Sequence, residues 1–209
     1  MNAQTEHRFI EGPAGAIELA IDRPLEPRAG GGTVVVSHPH PLFGGTMHNK
    51  VVQTLARAAV QAGWVVVRHN FRGVGASAGV HDHGVGETDD LLAVIASQAP
   101  QGPLGLAGFS FGGFVTCSGV GRLHGQRPLE RLVLVGTATG RFQVPPVPAE
   151  LHPQTLVVHG ELDNTVPLAA AMAWARPQSL PVTVVPGVEH FFHGQLPLLK
   201  ALTLRHFAH

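Results

Sequence analysis

One serine of this sequence lies in a pattern that could make it chemically reactive. Residues 108–112 read G-F-S-F-G and fit G-x-S-x-G, a pattern that holds a serine on a sharp turn between a strand and a helix. The glycines are required because a side chain two positions from the serine, on either side, would collide with the turn. The pattern predicts that Ser110 is a nucleophile. The alternative is a glycine-rich turn that contains an unreactive serine.

A nucleophilic serine requires a base to take its proton and an acid to orient that base. Asp163 lies in the loop after an apolar run at 155–158, and His190 lies in the loop after an apolar run at 182–185. The chain order Ser110, Asp163, His190 is the order that accompanies this serine motif on a parallel sheet. We therefore expect Ser110 to be the nucleophile, His190 the base and Asp163 the orienting acid.

Both partners have an alternative nearby in the sequence. Glu161 comes two residues before Asp163, but Asp163 lies deeper in its loop. His193 follows His190 and falls inside a helix that the pattern predicts over 191–207. A single Asp before a helix is commonly an N-cap, and a single His is commonly a surface or packing residue. The prediction therefore depends on the three positions taken together.

Acyl transfer also requires donors that stabilise negative charge on the substrate's carbonyl oxygen. The amide of Phe111, directly after the serine, is the first candidate because it begins a helix. The second should come from the loop 37–45, S-H-P-H-P-L-F-G-G, whose two prolines have no N–H. This leaves the amides of His40 and Leu42, and we expect His40. The alternative interpretation of H-P-H-P is a rigid loop with two exposed imidazoles.

Alternating strand and helix patterns must bring these residues together. A G-P-A-G turn predicts a β-hairpin between the stretches 7–11 and 16–21. Apolar runs typical of buried strands occur at 33–37, 64–68, 104–109, 132–135, 155–158 and 182–185. Helical spacing occurs at 47–62, 87–99, 111–123, 168–175 and 191–207. The alternation predicts one α/β domain over 1–209, with a mostly parallel sheet and helices on both faces.

Composition favours an ordered domain without a charged partner. Of the 209 residues 44% are hydrophobic and 13% charged, and 14 Lys and Arg balance 14 Asp and Glu, so neither disorder nor nucleic-acid binding is indicated. The single cysteine, Cys117, cannot form an internal disulfide. The polar stretch 1–8 is unlike a signal peptide, and no apolar run is long enough to span a membrane. We expect a cytoplasmic protein that does not associate with membranes.

Other residues could contribute to a pocket or bind a cofactor. The stretch 70–77, N-F-R-G-V-G-A-S, lacks the third glycine of a dinucleotide loop. Arg72 could anchor this loop or bind a substrate carboxylate, and Phe109 and Phe43 could line a substrate pocket. Many histidines are present, but no zinc-binding H-E-x-x-H occurs. We therefore expect neither a metal nor a cofactor.

Five segments together resemble the α/β-hydrolases, and more narrowly their small, capless, dienelactone-hydrolase-like branch. They are H-P-H-P-L-F-G-G-T-M-H-N-K-V-V at 38–52, N-F-R-G-V-G-A-S at 70–77, G-F-S-F-G-G at 108–113, H-G-E-L-D-N-T-V-P at 159–167 and G-V-E-H-F-F-H-G at 187–194. The resemblance implies the α/β-hydrolase fold from about position 33 to the end. Dienelactone hydrolase itself has a cysteine nucleophile where this chain has Ser110, so the resemblance does not imply dienelactone as substrate.

The expected function is a serine hydrolase of carboxylesterase type, acting on small esters or thioesters through an acyl-enzyme on Ser110. Larger relatives insert a cap domain where this chain has only residues 136–154, a short proline-rich stretch. We therefore expect an open site without a cap. The alternatives are a peptidase or acylaminoacyl hydrolase, and a catalytically silent binding protein on the same scaffold. The expected partner is a small-molecule ester, with monomer and homodimer both left open.

Overall fold

The computed structural model describes residues 5–208, and its β-strands form one eight-stranded sheet. The strands are β1 (Glu6–Gly12), β2 (Gly15–Asp22), β3 (Thr33–Ser37), β4 (Val65–His69), β5 (Leu104–Phe109), β6 (Arg131–Val135), β7 (Thr155–Gly160) and β8 (Thr183–Val185). Their order across the sheet is β1-β2-β4-β3-β5-β6-β7-β8. The hairpin β1–β2 is antiparallel and pairs antiparallel with β4, whereas every other neighbouring pair is parallel. The predicted α/β class and N-terminal hairpin are confirmed.

Two layers of helices cover the sheet. The helices are α1 (Lys50–Gln61), α2 (Val85–Gln98), α3 (Phe111–Leu123), α4 (Leu168–Ala175) and α5 (Leu196–Ala208). Because side chains alternate along a strand, Val34 and Val36 pack in the core shared with α1 and α5, whereas Val35 packs in the core shared with α2 and α3. Both faces are therefore apolar, which explains why the strand sequences read as unbroken apolar runs.

Three helix starts differ from the sequence-based prediction, and helix α2 begins at Val85 rather than at position 87. Helix α1 begins at Lys50 rather than at position 47, because Asn49 caps it by accepting a hydrogen bond from the amide of Val51 at 2.9 Å. Helix α5 begins at Leu196 rather than at position 191, because Phe192 (φ 56°) and Gly194 (φ 73°) have left-handed backbones. His193 therefore lies in a loop, and its predicted place inside the last helix is wrong.

No cap domain is inserted between β6 and β7. The chain there turns back through a short 3₁₀ helix, Ala149–Gln154, and buries Val144 and Val147 against the core. The carboxyl edge of the sheet is therefore left open, as predicted.

Residues 1–4 and 209 lie outside the described range. They include half of the polar stretch 1–8, whose sequence is unlike a signal peptide, and both ends of the predicted domain. Within residues 5–208, no helix is both long and apolar enough to cross a lipid bilayer.

Candidate active site

Three side chains from three separate loops meet at the carboxyl edge of the sheet. The Oγ–H of Ser110 donates to Nε2 of His190 at 3.0 Å, and Nδ1–H of His190 donates to Oδ2 of Asp163 at 2.6 Å. All three residues are buried, with Ser110 the most accessible at 7%. The structure thus brings together the three residues that the motif and the chain order singled out.

The serine is held by a strained turn between β5 and α3. Ser110 has φ 57° and ψ −118°, a conformation that L-residues rarely adopt, and its amide donates to the carbonyl of Val135 at 2.9 Å. A Cβ at position 108 would overlap the carbonyl of Gly112, and a Cβ at position 112 would overlap the carbonyl of Ser37. Both glycines are therefore required by contact with backbone atoms, as the motif predicts.

Asp163 is fixed so that it orients the imidazole of His190. Its Oδ1 accepts hydrogen bonds from the amides of Thr165 at 3.0 Å and Val166 at 2.7 Å, which leaves Oδ2 for His190. Because the carboxylate of Asp163 accepts a hydrogen bond from Nδ1, the proton of the neutral His190 ring lies on Nδ1. The lone pair of Nε2 is then directed at the hydroxyl of Ser110, as a general base requires.

A second buried histidine supports the loop that carries Asp163. Nε2–H of His159 donates to the carbonyl of Val166 at 2.9 Å and lies 3.6 Å from Oδ2 of Asp163. Burial lowers the pKa of His159, which favours the neutral ring. His159 therefore braces the loop without adding a full positive charge beside the carboxylate.

Glu161 and His193, the alternative acid and base, form contacts away from Ser110. Glu161 accepts a hydrogen bond from the amide of Gly187 at 2.8 Å, and His193 pairs with Glu189 at 2.9 Å, with 71% of its side chain exposed. Neither forms a hydrogen bond with Ser110 or His190.

Two backbone amides that line the cavity beside Ser110 are free to donate a hydrogen bond to an oxyanion. Within residues 5–208, neither the amide of His40 nor that of Phe111 donates a hydrogen bond. The amide of Leu42 instead donates to Nδ1 of His40 at 3.2 Å, so Leu42 is the weaker candidate.

The loop that carries His40 is held by His38. Nδ1–H of His38 donates to the carbonyl of Pro39 at 2.6 Å, and its Nε2 accepts from the amide of Phe71 at 3.0 Å. Burial lowers the pKa of His38 to about 3, so the ring is neutral and can both donate and accept. The H-P-H-P loop therefore has one buried and one half-exposed imidazole, not two exposed ones.

A cavity of about 300 Å³ opens beside Ser110 and His190. Much of its wall is aromatic, from Phe43, Phe111, Phe142 and Phe191. Phe43 thus lines a pocket beside the serine, as the sequence predicted. Phe109 does not line this cavity: it is fully buried and packs against the ring of His190, with centroids 4.9 Å apart. The expected pocket role of Phe109 is corrected to support of the base.

Arg72 is engaged away from the cavity. Its Nε and Nη2 each donate to a carboxylate oxygen of Asp90 at 2.8 Å, and Asp90 lies on α2. The guanidinium is thereby occupied and is absent from the cavity wall. The anchoring interpretation of Arg72 is confirmed, and the substrate-carboxylate interpretation is wrong.

Sequence reasoning missed two residues of the loop after β6. Arg141 and Phe142 both line the cavity. A signal was available in the sequence, because loops that follow parallel strands all reach the edge of the sheet where the serine lies.

Within residues 5–208, no three His, Cys, Asp or Glu side chains are grouped so that they could bind a metal ion. Cys117 is buried, and burial raises the pKa of its thiol to about 12.

Residues 16–128, more than half of the chain, match the family model of the X-Pro dipeptidyl-peptidases (S15 family). The matched part contains Ser110 but neither Asp163 nor His190. Among curated proteins, RP471 of Rickettsia prowazekii (strain Madrid E) is 40% identical over 111 residues, which are 51% of this chain and 46% of that protein. The match thus spans about half the length of that relative.

Two solved structures are similar over nearly the full chain. The α/β serine hydrolase without lid from Xanthomonas campestris, XC6422, is 36% identical, with 99% of this chain and 94% of that chain covered and a TM-score of 0.86. An α/β serine hydrolase homologue from Coxiella burnetii is 38% identical, with 96% of each chain covered and a TM-score of 0.78. This chain therefore belongs to the α/β-hydrolase superfamily, among serine hydrolases of the kind that has no lid.

Proposed function

We propose that this protein is a carboxylesterase-like serine hydrolase that cleaves small esters or thioesters. The observation that carries the proposal is the hydrogen-bonded chain from Ser110 through His190 to Asp163, which begins at the wall of an open cavity. This arrangement supplies a nucleophile, a base and an orienting acid in the order that acyl transfer uses.

The proposed reaction proceeds through an acyl-enzyme. Ser110 Oγ attacks the carbonyl carbon while Nε2 of His190 takes its proton, and the amides of Phe111 and His40 donate to the oxyanion. His190 then gives the proton to the leaving group, and the carbon–oxygen or carbon–sulfur bond breaks. Water then attacks the acyl carbon while His190 takes its proton, the bond to Ser110 Oγ breaks, and His190 returns the proton to Oγ as the acid leaves. Asp163 stabilises the imidazolium in both steps.

The cavity supports small substrates with an apolar part. A volume of about 300 Å³ is at the lower end of the range for small-molecule sites. The aromatic wall suits a hydrocarbon or aryl group. The site also lies open, since the segment between β6 and β7 forms no cap. These features favour short or compact acyl groups over the long chains that lipases bind.

The match to the S15 model supports a second candidate, an aminopeptidase-like amide hydrolase. An enzyme that cleaves dipeptides from an N-terminus must bind a substrate ammonium group, for which carboxylates are the ordinary partners. Within the described residues no Asp or Glu lines the cavity, and Arg141 contributes a positive charge to it. The electrostatics of the cavity therefore favour the ester over the amino-terminal dipeptide.

The test of the function is covalent labelling combined with turnover. A fluorophosphonate probe should label the wild-type protein, and Ser110→Ala should lose both labelling and p-nitrophenyl acetate turnover. The loss should be about 10⁴-fold or more, with a nearly unchanged melting temperature. Ser118→Ala is the matched control, because Ser118 lies on the same helix and its hydroxyl only donates to the carbonyl of Phe114.

Each result separates the candidates. Folded wild-type protein that neither reacts with the probe nor cleaves esters would support the silent binding protein. Cleavage of an X-Pro p-nitroanilide with a higher kcat/KM than any ester would support the peptidase. Activity of Ser110→Ala above a hundredth of wild type would exclude Ser110 as the nucleophile.

A further inference from the structure

The cavity wall beside Ser110 carries one cationic side chain that the reaction above does not use. Arg141 lies in the loop after β6, is exposed, and lines the cavity together with Ser110 and His190. Within residues 5–208, its guanidinium pairs with no carboxylate. Several other arginines do form such pairs: Arg28 with Glu130, Arg68 with Asp22, Arg72 with Asp90 and Arg122 with Asp89.

The surroundings of Arg141 contain no charge that would neutralise it. Among the described residues that line the cavity there is no Asp, Glu or Lys. Asp163 is 4% exposed, and its oxygens already accept hydrogen bonds from His190 and from two amides. An unneutralised cation on a largely aromatic wall attracts an anionic group of a ligand.

The charge of Arg141 also acts on His40, another residue of the cavity wall. Burial is the main cause that lowers the pKa of His40, and the neighbouring His81 and Arg141 lower it further, whereas Glu87 raises it. His40 therefore favours its neutral form, and it does not compete with Arg141 as a charged partner for an anion.

We propose that Arg141 selects esters that carry a carboxylate in addition to the ester group, with the hydrocarbon between the two groups lying on the phenylalanines of the wall. A guanidinium binds a carboxylate through two parallel hydrogen bonds, and the aromatic rings bind the apolar part. This inference rests on the proposed ester hydrolase function and assigns its substrate class.

The test compares charged and neutral members of matched ester pairs. One pair is mono-p-nitrophenyl adipate and its methyl ester, with the carboxylate on the acyl side. The other is p-acetoxybenzoate and its methyl ester, with the carboxylate on the leaving group. For at least one pair, wild-type kcat/KM should favour the charged member by about fivefold or more. About 0.5 M sodium chloride should reduce this preference, because salt screens the ion pair.

Variants separate a specific role of Arg141 from a structural one. Arg141→Gln should abolish the preference and leave kcat/KM for the neutral member within about twofold, and Arg141→Glu should favour the neutral member. Arg176→Gln is the matched control, since Arg176 is also exposed but does not line the cavity. It should retain the wild-type preference.

The outcomes keep this inference distinct from the function on which it rests. Wild-type protein that cleaves no member of either pair would contradict the ester hydrolase function itself. Cleavage of the neutral members as fast as the charged ones in both pairs would overturn the role of Arg141 alone. Equal slowing of charged and neutral members by Arg141→Gln would also overturn it, because only a structural defect affects both alike.

Discussion

At the scale of single residues, the proposed chemistry depends on how three polar side chains are confined. Ser110 is strained by a positive φ, His190 is oriented by a carboxylate, and Asp163 is saturated by backbone amides. Each constraint removes a freedom that the side chain would have in solution. On the proposed pathway the reacting groups are thereby aligned before a substrate arrives, and such alignment lowers the barrier to acyl transfer.

Asp163→Asn should lower kcat for p-nitrophenyl acetate by about 10⁴-fold, because an amide nitrogen at this position would favour the wrong tautomer of His190. The variant should keep its fold, since Asn is nearly isosteric with Asp. Glu161→Gln makes the same chemical change two residues away and should retain activity within about threefold. If steady-state kinetics show that Glu161→Gln is the inactive variant, the assignment of the acid is reversed.

The site residues that sequence could predict are those whose roles require a particular residue type. Ser110, Asp163 and His190 were identified because a motif and a chain order restrict their positions. Phe109 was misassigned and Arg72 was left with two interpretations, because several roles suit an aromatic ring or a guanidinium. Only packing shows that Phe109 supports His190 and that Arg72 is engaged by Asp90. Arg141 was missed because no local pattern marks an unpaired arginine.

At the scale of elements, the loop after β4 is attached to α2 by a buried ion pair. Arg72 and Asp90 have 12% and 1% of their side chains exposed, and both hydrogen bonds measure 2.8 Å. Loss of one partner from such a pair leaves a buried charge without compensation. The pair therefore fixes the position of this loop relative to α2.

Arg72→Gln should lower the free energy of unfolding by about 3 kcal/mol, because it leaves Asp90 buried without its partner. At a temperature well below its melting point, kcat/KM for p-nitrophenyl acetate should stay within about threefold of wild type. Arg122→Gln breaks another ion pair to α2, but side-chain exposures of 59% and 40% predict a change of at most about 0.5 kcal/mol. Urea denaturation of both variants tests this. Equal effects would contradict the anchoring role.

The elements themselves were largely predictable because their patterns are local. Runs of β-branched residues marked the strands, and the predicted ranges of α3 and α4 coincide with those observed. The start of α5 was missed because two left-handed residues interrupt a stretch whose composition suits a helix. The strand order was not predicted, since it depends on contacts between residues distant in sequence.

At the scale of the whole molecule, His38 and His69 are the buried histidines of residues 5–208 whose pKa folding lowers most. Burial lowers the pKa of His38 to about 3 and that of His69 to about 4. Both rings lie against Phe71, with centroid distances of 4.4 and 5.1 Å. In the unfolded chain these histidines would take up protons near pH 6.5. The unfolded state therefore binds more protons below that pH, and acid favours unfolding.

The melting temperature should accordingly fall as the pH decreases from about 7.5 to about 5. His38 and His69 should each contribute about 2 kcal/mol to the loss at pH 5, because their stabilisation is complete only above the unfolded pKa. His69→Leu should lose less stability over this interval than wild type. His7→Gln, a change at an exposed histidine of β1, should follow the wild-type curve. A pH-independent melting temperature would contradict this account.

The open edge of the sheet also determines what the acyl-enzyme can meet. Because the segment between β6 and β7 supplies part of the cavity wall but no cap domain, a bound acyl group on the proposed pathway would stay reachable from the surrounding solution. Water and small alcohols would approach it by the same route. The division of acyl groups between release as acids and transfer to alcohols would then depend on the composition of the medium.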